Sequence, residues 1–226
     1  MGYLVTRPDF ETVTRIGAAF FKRYIVDPAR EKGLLVHDLY GEGAQGGVFW
    51  ACIQSPDVTI VTGCGHGDPD TFTGQQYAVL IARGSYSPEL IKDKWISHLS
   101  CSTGKRLGPD LVKNGAAGFK GYRDTYIFYA DAGAEDPTED PYAKSFMGPD
   151  VVRHAWPIEG SDPEAADSLA REQYQNWAVH WSTRDPEISA VILYDLSIMV
   201  LYRKGEDVPR YCWLPKWIRN LIGCGY

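Results

Sequence analysis

Val58-Thr59-Ile60-Val61-Thr62-Gly63-Cys64-Gly65-His66-Gly67 is the stretch that decides the fold. Val58 to Thr62 reads as a strand, and it runs directly into a glycine-rich segment that carries a histidine. A strand that ends in such a run opens a site. Working outward, Trp95 to Ser100 is a second strand of the same kind, and it ends at Cys101. His66 and Cys101 therefore both fall at strand carboxyl ends.

The neighbouring segments alternate in type. Toward the N-terminus, Tyr3 to Thr6 reads as the first strand. Phe10 to Glu31 follows as a long helix, with Val13, Ile16, Phe20 and Tyr24 at helical spacing and Gly33 as its stop. Leu34 to Leu39 is a strand and Ala44 to Gln54 a short helix. Beyond His66 come a minor strand or hairpin at Tyr77 to Ala82, a helix at Pro88 to Lys94 behind an N-cap Ser87, and a helix at Pro109 to Asn114. A strand at Ala117 to Tyr122 continues after a break through Thr125 to Tyr129. Strands alternating with helices predict an α/β domain on a mainly parallel sheet, with residues 1–130 as its core.

Residues 131–141 (DAGAEDPTEDP) are acidic and almost without apolar side chains, so they read as an exposed loop. Residues 142–226 then form a mainly helical part that completes the same domain. It holds helices at Tyr142 to Ala155, Pro163 to Trp181 behind Asp162, and Pro186 to Asp195, a last strand at Ser197 to Tyr202, and a terminal helix or tail at Trp213 to Ile222.

Composition narrows the function classes. The chain has 226 residues, 44% hydrophobic and 23% charged, enough for one sizeable core. A net charge of -6 with no clustered basic stripe argues against nucleic acid as a partner. Ile188 to Tyr202, the longest apolar stretch, is interrupted by Asp195 and is too short to cross a bilayer, so no membrane is expected. Met1 to Asp9 lacks the pattern of a secretory signal. Five cysteines, Cys52, Cys64, Cys101, Cys212 and Cys224, are scattered without a C-x-x-C pair, which suits free thiols in a reducing, cytoplasmic compartment.

In an open α/β sheet the crevice beyond the strand carboxyl ends is where ligands bind, and side chains placed there converge. A thiol needs a base or ion-pair partner to act as a nucleophile at neutral pH, and His66 is the candidate partner for Cys101. A tetrahedral acyl-transfer intermediate also needs donors for its oxyanion, and the backbone amides of Gly67 and Cys101 are the candidates.

These two blocks resemble the histidine and cysteine blocks of clan CD peptidases, the caspase-like group that includes metacaspases, legumains, clostripain and gingipains. The run Val61 to Gly67 with Thr71 to Gly74, together with His98 to Gly104, Leu107 to Val112 and Gly115 to Tyr122, is most similar to small gingipain-like proteins of microbes. The resemblance implies a caspase-like three-layer α/β/α sandwich. It also implies a cysteine endopeptidase that works through a thioester, with Cys101 attacking and His66 protonating the leaving amine. It calls for no metal or other cofactor, although some relatives use calcium. Leu99, two residues before Cys101, stands where some basic-specific relatives carry an acidic residue, and Cys64 sits unusually beside the histidine. Arg7, at the end of the first strand, is a candidate substrate-pocket residue for an acidic side chain, against a plainer pairing with Asp9 or another carboxylate.

Other readings stay open. Cys101 to Arg106 resembles the anion-cradling loop of rhodanese-type sulfurtransferases, which would use Cys101 and Arg106 but leave His66 idle. A catalytically silent caspase-like scaffold is the non-enzymatic alternative. Asp68, Asp70 and the acidic residues from Glu135 to Asp140 are the candidate calcium ligands, but without EF-hand spacing they read as solvated loops. The partner expected on these grounds is a peptide or protein substrate, with homo-oligomerisation open.

Overall fold

The computed structural model describes residues 1–206. Six strands form one sheet: β1 (Gly2–Arg7), β2 (Leu35–Tyr40), β3 (Val58–Cys64), β6 (Trp95–Leu99), β7 (Gly118–Tyr122) and β8 (Met199–Arg203). Their spatial order is β2-β1-β3-β6-β7-β8, and every pairing is parallel except β7 with β8. A separate small hairpin pairs β4 (Thr71–Thr73) with β5 (Val79–Ala82). The chain is an α/β protein on a mixed, mainly parallel sheet.

Strand alternation divides the core into two layers of packing. Tyr3, Val5, Ile60 and Leu99 face helix α1 (Thr12–Phe21) and the C-terminal helices α6 (Pro141–His154), α7 (Pro163–Ser182) and α8 (Pro186–Ile198). Leu4, Val61, Ile96 and Phe119 face the other way, toward α3 (Gly46–Ile53), α4 (Pro88–Ile91) and α5 (Leu107–Lys113). The helices after residue 140 thus complete one outer layer of a three-layer sandwich.

From β1 the chain crosses one face through α1 and α2 (Asp27–Glu31) to reach β2, and then the opposite face through α3 to reach β3. The boundary between β1 and β3 is therefore a topological switch point, where the loops beyond the strands diverge and leave a crevice. Gly63 allows β3 to run close to β1 there. Its φ is +146°, and a Cβ at this position would fall 2.2 Å from the Thr6 carbonyl oxygen.

Several predicted boundaries move, each for a local reason. The helix predicted from Phe10 begins at Thr12, because Glu11 is in extended conformation and exchanges hydrogen bonds with Thr14: the Glu11 N–H donates to Thr14 Oγ1 at 3.3 Å, and that hydroxyl donates to the Glu11 carbonyl at 3.1 Å. Phe10 and Glu11 are thereby released from the helix. Its interior is not continuous either; a π-helical turn spans Lys22–Val26 just before Pro28, which has no N–H for the preceding turn.

The segment Thr125 to Tyr129 is not a strand. Its Ile127 N–H donates to the Asp195 carboxyl at 3.1 Å, and β8 takes the place beside β7. Tyr77 to Ala82 divides into a tight turn at Gln75–Tyr77 and the short β5. The acidic loop is less exposed than its composition suggests: Thr138 and Asp140 are buried, Arg23 donates to Thr138 Oγ1 at 2.6 Å, and Asp140 caps α6 through the N–H groups of Tyr142 and Ala143. The predicted terminal helix at Trp213 to Ile222 lies outside the described residues, as do Cys212 and Cys224.

Candidate active site

The register of β3 on β6 fixes the geometry of the site. Cys64 pairs with Leu99, so two residues further along each strand His66 and Cys101 leave the sheet at the same level on neighbouring strands. The Gly65 N–H donates to the Leu99 carbonyl at 3.2 Å and holds the two exits together. Both side chains then line one cleft of about 320 Å³, with Cys64 and Leu99 among the residues of its wall.

The cysteine turn is built with local strain. Ser102, the residue after the nucleophile candidate, has φ +58°, and Ser100 and Thr103 hydroxyls meet at 3.0 Å beneath it. The Ser102 and Gly104 N–H groups donate to the carbonyls of Asp124 and Tyr122 at 2.9 and 2.8 Å, so the turn is tied to the chain leaving β7. Gly67 lies directly against it: a Cβ there would be 2.7 Å from the Cys101 carbonyl oxygen and 3.1 Å from Ser100 Cβ. A side chain at this position would have to displace the cysteine turn, so the close approach requires glycine.

His66 has partners that the sequence did not reveal. Its Nε2 is hydrogen-bonded to Glu11 Oε1, and the Tyr77 hydroxyl donates to Glu11 Oε2 at 3.5 Å. A carboxylate oxygen accepts, so this contact places a ring proton on Nε2 and leaves Nδ1 as the nitrogen that Glu11 does not engage. The ring is also flanked by aromatic groups, with the Tyr77 centroid at 5.0 Å and that of Phe10 at 6.1 Å. Gln76 and Tyr77 both have positive φ, at 50° and 62°, and buried Gln75 pins their turn to Asp9 by accepting from its N–H at 2.9 Å. The one available signal for Glu11 is topological: a carboxylate just beyond β1 must sit beside whatever leaves β3.

Cys101 Sγ donates to the Tyr126 carbonyl at 3.8 Å. Burial raises its thiol pKa above the ordinary value, the Tyr126 contact acts against this, and the charges of Asp195 and Asp124 add to the rise. The resting group is therefore a neutral thiol. Cys64 is more deeply buried, and desolvation pushes its pKa up to about 12. Asp195, behind the Tyr126–Phe128 wall, is fully buried and its carboxyl is pushed up to about 8 by desolvation, against the Ile127 N–H bond, which lowers it.

Arg7 is placed elsewhere. Its guanidinium makes a bidentate pair with Asp38, both contacts at 2.7 Å, donates to the Ala18 carbonyl at 3.2 Å and stacks on Tyr40. It lines a separate cavity with Asp9 and Lys22 rather than the His66–Cys101 cleft. The reason is register: Arg7 pairs with Tyr40 at the ends of β1 and β2, on the side away from β3. The structure thus places Arg7 outside the His66–Cys101 cleft and on Asp38, one of the other carboxylates that the plainer pairing allowed.

Arg106 is likewise committed, binding both carboxylate oxygens of Asp70, to which Arg83 also donates at 2.7 Å. Among the described residues, no group of three or more His, Cys, Asp or Glu is arranged to hold a metal ion. Of the remaining histidines, His98 stacks on Phe72 at 3.8 Å in the opposite core layer, where burial drives its pKa down to about 3. His154 bridges Thr62 Oγ1 at 2.7 Å and Asp150 at 2.9 Å, and Asp150 accepts from Tyr122 at 2.7 Å, tying α6 to the sheet below the cleft.

No protein-family model matches this chain, and no curated protein matches it either. No helix among the described residues is long and apolar enough to cross a membrane.

Proposed function

We propose that this protein is a cysteine endopeptidase of the clan CD, caspase-like type. The observation that carries the reading is the paired exit of His66 and Cys101 from adjacent strands β3 and β6 into one cleft beside the switch point.

In this mechanism the substrate carbonyl binds over Cys101 with its oxygen toward the backbone N–H groups of Gly67 and Cys101. Sγ attacks the carbonyl carbon while the thiol proton passes to His66 Nδ1, giving a tetrahedral oxyanion. The C–N bond then breaks, and the same proton goes to the leaving amine. The product is a thioester on Cys101. Water attacks it with His66 accepting a proton, the carboxylic acid leaves, and the thiol is restored. Glu11 is a positioning residue, since its carboxylate binds the His66 ring and the Tyr77 hydroxyl and acts by holding the imidazole in one tautomer. The neutral resting thiol means that deprotonation accompanies attack.

A peptide or protein is the proposed partner, and the cytoplasm the proposed compartment, in keeping with free Cys52, Cys64 and Cys101. The test is hydrolysis of a fluorogenic peptide library by wild type, Cys101→Ala, His66→Ala and Glu11→Gln. Turnover should vanish in the first two and fall about tenfold in kcat, with KM little changed, in the third. Hydrolysis that survives Cys101→Ala would exclude the mechanism. Thiosulfate turnover dependent on Cys101, without peptide cleavage, would favour the sulfurtransferase alternative.

A further inference from the structure

The lining of the cleft bears on which peptide bond would be cut, an inference that rests on the peptidase reading. Beside His66 and Cys101, its wall is made of apolar or uncharged groups, chiefly Val13, Gly17, Cys64, Leu99, Phe128 and Met147. Among the described residues that line it there is no Asp, Glu, Lys or Arg. The rim is apolar too: Val13 is 47% exposed, Ile127 42% and Tyr77 57%. Large apolar side chains left in solvent around a reactive group mark a surface that another molecule covers.

Of the charged groups near the cleft, Asp124 is exposed and stands outside the lining, although its charge adds to the rise of the Cys101 pKa, and the others are engaged or set back. Both oxygens of Glu11 are used by His66 and Tyr77. Arg7 and Arg106 are bound by Asp38 and Asp70. Asp195 lies behind the wall, with one oxygen accepting from Ile127 N–H and the other buried without a partner. A charged side chain entering this cleft would lose its hydration and gain no counter-charge from the lining, whereas an aliphatic or aromatic one would exchange water for matching surface.

We infer that the cleft selects an uncharged, apolar side chain, such as Leu, Met or Phe, on the residue whose carbonyl Cys101 attacks. Cys64 and Leu99, side by side in register at the head of β3 and β6, are then specificity-determining residues that turn the pocket away from Arg and Lys.

The test uses peptide acyloxymethyl ketones that differ only in that side chain, with labelling of Cys101 followed by intact mass. Each forms a thioether at Sγ and expels a carboxylate, the thiol proton passing to solvent. Iodoacetamide serves as a probe of the thiol alone. Leu, Met and Phe probes should label on the order of a hundredfold faster than Arg, Lys or Asp probes. Val13→Asp, which adds a carboxylate on an exposed first turn of α1, should raise Lys and Arg labelling several-fold while changing Leu labelling less. Faster labelling by a charged probe in the wild type would overturn the inference and leave the peptidase reading intact. If that preference were for Lys and were lost in Asp195→Asn, selection would belong to Asp195. Labelling by iodoacetamide with none by any peptide probe would overturn both.

Discussion

Asp195→Asn tests the electrostatics behind the cleft in a way that can be worked out in advance. Asp195 is fully buried, and desolvation pushes its carboxyl up to about 8, compared with an ordinary value of 3.8. In the unfolded chain the group ionises at its ordinary value, so between the two pKa values the unfolded state has released a proton that the native state keeps. A raised folded pKa makes its contribution in full below the unfolded value and loses it as pH rises toward the folded one. The native state is thus disfavoured by about 1.4 kcal/mol for each pH unit across that window. Asparagine keeps the oxygen that accepts from Ile127 and cannot ionise, so the variant should gain on wild type by about 2.7 kcal/mol between pH 5 and pH 7. Urea denaturation at pH 5, 6, 7 and 8 reads this directly, provided that the m-values agree. A stability difference that stays flat with pH would refute the reasoning, because it would mean that Asp195 ionises alike in both states.

Three further outcomes follow from particular contacts. Arg7→Met should cost about 2–4 kcal/mol, since it strands Asp38 with only Arg30 at 3.6 Å, yet leave substrate preference unchanged; denaturation and the probe panel read the two effects separately. Gly67→Ala should lower peptide turnover by at least about a hundredfold, because its Cβ would meet the Cys101 carbonyl at 2.7 Å and push the cysteine turn away from the amides opposite; near-normal kcat would show that this approach is not needed. Alkylation by iodoacetamide should be slow at Cys101 at pH 7 and rise beyond pH 9, while Cys64 stays unreacted in the folded protein; peptide mapping that finds Cys64 labelled first would contradict its burial.

The strands near the site are legible in the sequence because buried parallel strands carry a dense local signal: Val58 to Thr62 and Trp95 to Ser100 need no distant information to be read. The helix start and the hairpin were harder. Phe10 continues the apolar spacing of α1, and only the extended Glu11 and its exchange with Thr14 take it out of the helix. Asp131 to Pro141 reads as an exposed loop because composition does not show that Arg23, far away in the chain, binds its Thr138.

The sequence by itself determined that this is an α/β chain with a histidine and a cysteine at two strand ends, because periodicity and glycine punctuation are local properties of the chain. Tertiary structure alone decided what surrounds them. Strand order and register put Glu11 on His66, put Asp38 on Arg7, put Asp70 on Arg106, and left the cleft walls apolar. Those pairings join residues 31 to 55 positions apart, and nothing in a local pattern says which β-strand will be the neighbour of which.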